Sequence, residues 1–224
     1  MRLLKYLVFI LILGYTAEWV PFNLLLATLG KDKPPITIIK NEPLSQLIQD
    51  KTGVEIKIIK ISESDRPFGL MIGIPRNPQL LLSRNLYENF NASEMEYVVL
   101  HEAGHYALQH GLKELLLGLV LLAISIRLCR SIPTAVLLGL VFGIGLIQLG
   151  KLHELQADQF SLDRTTNPHG MITATGKFRS YYGIKLSENN NKIIQWFFYR
   201  GNPYDNRIKM AEAEIQSRNW NNHL

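Results

Sequence analysis

Hydrophobic positions in this chain are gathered into long blocks that alternate with shorter periodic stretches. The first block runs from about Leu3 to Leu29, with Lys5 and Glu18 as its only charges. As a helix, its roughly 27 residues would reach about 40 Å, more than the hydrocarbon core of a bilayer requires. Arg2, Lys5 and the run Leu7 to Leu13 also have the outline of a secretory signal. Tyr15, however, would sit at −3 of a cleavage after Ala17, and no small-x-small site follows, so residues 1–30 are expected to be an uncleaved transmembrane anchor. Glu18 is costly within a span and either faces protein or marks a break near Pro21.

The second block is a pair of runs, Leu115–Ile126 and Ile132–Leu149, with no Asp, Glu, Lys or Arg in either. Arg127, Arg130 and Ser131 separate them, and Pro133 suits the first turn of a new helix. The second run is long enough to cross a membrane. The first reaches only about 18 Å, so it needs Lys113 or Arg127 to snorkel, or it dips without crossing. The pattern predicts a membrane hairpin over 112–150 that interrupts one domain of residues 31–224. The rival reading, a buried helical pair, needs more cover than so small a domain provides.

The remaining stretches are periodic. Leu44, Leu47 and Ile48 share one face of a helix over Glu42–Lys51, which Gly53 ends. Val54 to Ile61 reads as a strand, with Lys57 and Lys60 interleaved. Phe68–Ile74 and Gln79–Ser83 read as two more, joined by a turn at Pro75–Pro78. Ser93-x-x-Glu96 predicts a capping box that opens a helix running into His110. The fold class expected is α+β, mostly helical with a small β-sheet.

That last helix carries His101-Glu102-Ala103-Gly104-His105. At about 100° per residue, His105 lies roughly 40° from His101, one turn on, so both imidazoles can grip one cation. Glu102 lies about 100° round from His101. It is poorly placed as a ligand but well placed as general base to a metal-activated water. The apolar flanks Val98–Leu100 and Tyr106–Leu108 predict a buried helix, where unpartnered charges do not sit. One known extension of the motif puts Gly and His three and six residues after its second His. Here those places hold Leu108 and Gly111, so that form is excluded. His110 points to another face. Glu154 is the better third ligand, with Asp158 one turn on to accept the free N–H of His101 or His105. A solvated helix face is the bland reading of that carboxylate pair, and His153 points about 100° away from Glu154.

Composition adds exclusions. Cys129 is the only cysteine among 224 residues, so no intrachain disulfide forms. The net charge is 24 − 19 = +5. Outside the blocks basic and acidic residues alternate, and no motif reads bases, so nucleic acid is not an expected partner. A lipid bilayer surface suits the excess better.

HEAGH, a hydrophobic hairpin and then ELQAD, in that order, resemble the membrane zinc metallopeptidases of the HtpX-like and CAAX-prenyl-protease-like family. The resemblance covers roughly Leu44 to Glu212. It includes Gln79–Ser83 leading to Leu86, Glu94–Leu100, and Asn202-Pro203-Tyr204-Asp205-Asn206-Arg207-Ile208, which is similar to the family's His-Pro-x-x-x-Arg-Ile segment. It implies a zincin-type catalytic domain holding one zinc ion per chain on His101, His105 and Glu154. Glu102 would be the catalytic base, and Arg207 would stand near the reacting group or the substrate. The implied activity is hydrolysis of peptide bonds in a protein or peptide, membrane-associated by the hairpin argument, with membrane protein quality control as one role. A regulatory peptidase with one client and a non-catalytic metal-stabilised scaffold are the rival readings. Asn202 replaces the family's histidine, and one apolar block precedes the catalytic part where HtpX has two. An integral protein of the cell membrane is expected. Positive-inside counting, four basic residues against five, leaves the side of the catalytic part open.

Overall fold

The computed structural model describes Leu4, Tyr6 and residues 35–74, 77–183 and 191–221. The expected anchor lies outside the described residues apart from Leu4 and Tyr6. Those residues are mostly helical and divide into two compact units.

The first unit comprises Gln109–His153 and the described part of Asn189–Gly201. In this unit lie α4 (His110–Leu128), α5 (Ile132–Leu162) as far as His153, and the short α7 (Lys192–Phe198). Its interior is small: Cys129, Ala135 and Leu146, packed by Leu117, Leu121 and Phe142. Leu116, Leu119, Val120, Ile126, Leu137 and Val141 are exposed instead. So much uncovered aliphatic surface is rare on a protein surrounded by water. Among the described residues α5 is the one helix long and apolar enough to cross a membrane. The first run of the expected hairpin extends into α4, which carries Lys113, Glu114 and Arg127 within 19 residues. The second run does not stop at Leu149. It continues unbroken through ELQAD to Leu162, with Pro133 in its first turn, where a missing N–H costs nothing.

The second unit comprises Pro34–Leu108, Glu154–Glu188 and Asn202–Leu224. Four strands form a mixed sheet: β1 (Ile36–Ile39), β2 (Ile58–Ser62), β3 (Gly69–Ile74) and β4 (Asn77–Ser83), in the order β1-β2-β4-β3. Only β2 and β4 run parallel, with Ile59 opposite Leu80 and Ile61 opposite Leu82. These four apolar side chains are buried, while β1 and β3 form the two edges. The strand expected from Val54 starts at Ile58, and β1 was not anticipated. Helices α1 (Glu42–Thr52), α2 (Arg84–Asn89), α3 (Ala92–Ala107), α6 (His169–Tyr182) and α8 (Tyr204–Asn221) complete the unit. α3 packs against α1, α6 and β3, and Ile48, Val99, Leu86, Met171 and Ala174 fill the space between the elements.

The capping box at the head of α3 is shifted from the one expected. Asn91 is the N-cap: its side chain accepts from Glu94 N at 3.0 Å, and Glu94 Oε2 accepts from Asn91 N at 2.8 Å. Asparagine caps as well as serine does. Ser93 donates to Asn91 Oδ1, and Glu96 turns inward to accept from Thr166 N and Oγ1. α3 ends at Ala107 instead of reaching His110, because Gln109 takes a left-handed conformation, φ 57°, which redirects the chain.

Candidate metal centre

α3 presents His101 and His105 one turn apart, and their Nε2 atoms are 3.1 Å from each other. The C-terminal part of α5 brings Glu154 against both. Its Oε2 is 3.5 Å from His101 Nε2, and its Oε1 is 3.4 Å from His105 Nε2. A cation held at about 2.05 Å by tetrahedrally placed ligands sets those ligand atoms roughly 3.3 Å apart. The three measured separations therefore fit a single zinc-sized ion. Among the described residues this is the one group of three His, Cys, Asp or Glu side chains with that geometry. Two imidazoles and a carboxylate also suit zinc by type.

The helices approach closely because of Gly104. A Cβ there would stand 3.0–3.2 Å from the Phe160 ring, so the glycine in HEAGH lets α5 lie against α3. Asp158, one turn beyond Glu154, is fully buried. Its Oδ1 accepts from Tyr97 Oη at 2.8 Å and lies 2.9 Å from His101 Nδ1. Its Oδ2 accepts from Asn202 Nδ2 at 2.8 Å and from Arg207 Nε at 2.9 Å. A carboxylate beside Nδ1 favours the proton there, so that the neutral imidazole of His101 would present Nε2 to a metal.

Burial disfavours charge on Asp158, yet Arg207 and His101 together hold its carboxyl down at about 2. Burial alone would lower His101. The Asp158 and Glu154 carboxylates outweigh it and push the imidazole up to about 10. Burial works against the Glu154 charge as well, but hydrogen bonding from both histidines brings its carboxyl well below the usual range. Both carboxylates are thus held ionised beside the imidazoles. Glu102 behaves differently. Its raised value follows first from burial, with the positive histidines pulling the other way.

Glu102 faces the sheet. Its Oε2 is 3.4 Å from Met71 N on β3. A Cβ on Gly69 would lie 3.0 Å from Val98 Cγ1 and 3.3 Å from Glu102 Cγ, so only glycine lets the edge strand pass this close. His101, Glu102, His105, Glu154, Asp158 and Arg207, all singled out in the sequence, meet in the second unit. Arg207, expected beside the reacting group, spends its guanidinium on carboxylates: Nε on Asp158, and Nη2 on Glu154 Oε2 at 2.9 Å. Tyr97 was missed, although it precedes His101 by four residues and so stands one turn away on the same face. Asn202, noted only as a departure, sits on Asp158 and accepts from Asn206 Nδ2 through its own Oδ1.

The model of peptidase family M48 matches residues 45–215. The fold is similar to that in the crystal structure of S. mikatae Ste24p, with a TM-score of 0.61 at 14% identity. That similarity covers 91% of this chain and 56% of the other, so the chain spans little more than half of the protein it resembles. No curated protein matches the chain.

Proposed function

Because the chain belongs to peptidase family M48, we propose that it is a membrane-bound zinc metalloendopeptidase. The observation that carries this reading is the triangle of His101 Nε2, His105 Nε2 and Glu154, with sides of 3.1–3.5 Å, beside a carboxylate that is not part of it. His101, His105 and Glu154 would hold the metal. When bound, zinc supplies the Lewis acidity that activates water near neutral pH and polarises a carbonyl.

The rest is the work of this chain's own groups. Glu102 takes a proton from the attacking water and returns it to the leaving amine. Its raised proton affinity suits both transfers. Asp158 fixes His101 by its Nδ1, and Tyr97, Asn202 and Arg207 hold Asp158 in turn. Arg207 acts through Asp158 and Glu154 as a positioning residue. A substrate backbone adds as a further strand to the open edge of β3, which passes over Glu102. The domain over 31–224 is held in the cell membrane by the segment 1–30 and the hairpin 112–150. Because Leu149 and Glu154 are five residues apart on one helix, about 7.5 Å of rise separates the end of the apolar run from the third ligand. Substrates are accordingly membrane-embedded or membrane-adjacent chains, which fits protein quality control. A Glu102 so placed has no use in a structural metal scaffold.

The decisive experiment pairs metal analysis with proteolysis of an unfolded substrate for wild type and Glu102→Gln. The variant is expected to keep one zinc per chain and lose proteolysis. Retention of a tenth of the wild-type rate would remove Glu102 from the chemistry.

A further inference from the structure

Within the first unit the short helix α7 is attached to α5 at several points. Seven residues are too few to hold a helix in water by themselves, so these attachments fix it. Carbonyls in the last turn of a helix have no partner inside it. That of Trp196 accepts from Gln148 Nε2 at 2.6 Å and from Lys151 Nζ, two side chains three residues apart on one face of α5. Just beyond α7, Arg200 lies along α5 where Gly150 leaves room: a Cβ there would stand 2.5 Å from Arg200 Cγ. Arg200 Nη2 also donates to the buried Glu114 on α4, so the segment is tied to both long helices of its unit.

The attachment leaves an apolar face open. Ile193 and Trp196, three residues apart on α7, are 68% and 52% exposed. On α5, Leu137 and Val141 are exposed too, and at about 100° per residue each lies within roughly 20° of Gln148 around the axis. An aliphatic stripe thus leads along the charge-free run of α5 to the residue that holds Trp196. The run ends one residue later, at Leu149, and Lys151 follows. The Lys151 ammonium stands 5.9 Å over the Trp196 ring, and Lys192 is exposed on α7 itself. An open indole and lysines at the end of an apolar run mark the boundary of a bilayer. Tryptophan collects there, and lysine stems carry their charge out of the hydrocarbon. A lipid surface covers stripe and indole together, which a partner protein seated on α7 alone would not.

We propose that α7 is an interfacial helix: it lies in the headgroup layer of the bilayer, with Ile193 and Trp196 turned to the acyl boundary and Lys192 at the lipid phosphates. Trp196 thereby sets the depth at which the apolar run of α5 sits in the membrane. The inference rests on the membrane reading above and adds to it the surface that meets the headgroups. It needs α7 to be held against α5, which the Gln148 and Lys151 bonds to the Trp196 carbonyl and the Arg200 tie do.

The test uses the full chain, which has three tryptophans. Trp19→Phe with Trp220→Phe leaves Trp196 as the sole reporter. This variant is reconstituted into phosphatidylcholine–phosphatidylglycerol vesicles whose acyl chains are brominated either near the headgroup end or near the methyl end. Flotation with the vesicles after a high-salt wash is followed in parallel. The protein is expected to float, and its emission to be shifted to the blue of free tryptophan in water. Bromines near the headgroup end should quench most of that emission, and those near the methyl end much less. Should the double variant fail to fold, the difference in emission between wild type and Trp196→Phe is read in the same way. A protein that floats while neither brominated lipid quenches Trp196 would overturn this inference and leave the membrane reading standing, whether aqueous acrylamide reaches the indole or a second copy shields it. Strongest quenching from the methyl end would overturn it too. Failure to float would bring down both readings.

Discussion

Asp158→Asn is a change of one atom that the structure makes expensive. Each carboxylate oxygen has two polar neighbours: at Oδ1, Tyr97 Oη donates and His101 Nδ1 lies 2.9 Å away as an ion-pair contact, and at Oδ2, Asn202 Nδ2 and Arg207 Nε both donate. An amide must turn its NH2 toward one of these pairs. Facing Asn202 and Arg207, it meets at least one group that cannot accept, because an arginine Nε only donates. Facing Tyr97 and His101, it needs Nδ1 of His101 as acceptor. The imidazole proton then moves to Nε2, the nitrogen that points at His105 and Glu154. The first orientation breaks a buried ion pair and costs about 3–5 kcal/mol of stability. The second spares part of that and occupies the metal-binding nitrogen instead. In either case zinc affinity should fall by about 10–100-fold. Denaturant unfolding of the metal-free protein together with chelator competition measures both effects. Unchanged unfolding and unchanged zinc affinity would refute the role given to Asp158.

Three further outcomes are expected. Gly69→Val should drive β3 away from Val98 and Glu102, lowering proteolysis more than tenfold while zinc content stays at one per chain, since no ligand is touched; rate and metal content on the same sample check it. Glu94 and Glu96 have carboxyls held below the ordinary 4.5: burial opposes the charge, but Lys177 with the Asn91 N–H, and Thr166 with Lys51, overcome it. Their contribution is complete above 4.5 and is lost as pH falls through the lower folded values, so stability should decline in that window, and less steeply in Glu96→Gln, as acid titration of unfolding would reveal. Carbonate or high-salt washing should leave the protein in the membrane pellet, because apolar burial is not screened as surface charge is; release by salt alone would contradict the membrane reading.

Local, periodic geometry accounts for what the sequence determined by itself. His101 and His105 share a face because a helix repeats every 3.6 residues, and the same arithmetic sets Glu102 apart and puts Asp158 one turn from Glu154. The apolar runs at 115–126 and 132–149 are legible because they are contiguous. Elements whose ends depend on single-residue choices were less so: Asn91 caps α3 in place of Ser93, and Gln109 stops it by adopting a left-handed conformation that no periodicity foretells. What only the tertiary structure decided are meetings between distant segments. Tyr97 and Asp158 are 61 residues apart, Arg207 and Glu154 are 53, and Met71 and Glu102 are 31. Nothing within a window of one or two helical turns encodes such distances. They follow from Gly104 and Gly69 admitting close approach, and from packing that lets one buried carboxylate on α5, Asp158, collect donors from α3, from α8 and from Asn202 just before α8. The sequence therefore held the proposed ligands and their spacing, and packing alone turned Arg207 onto the Glu154 and Asp158 carboxylates and laid the edge strand β3 beside Glu102.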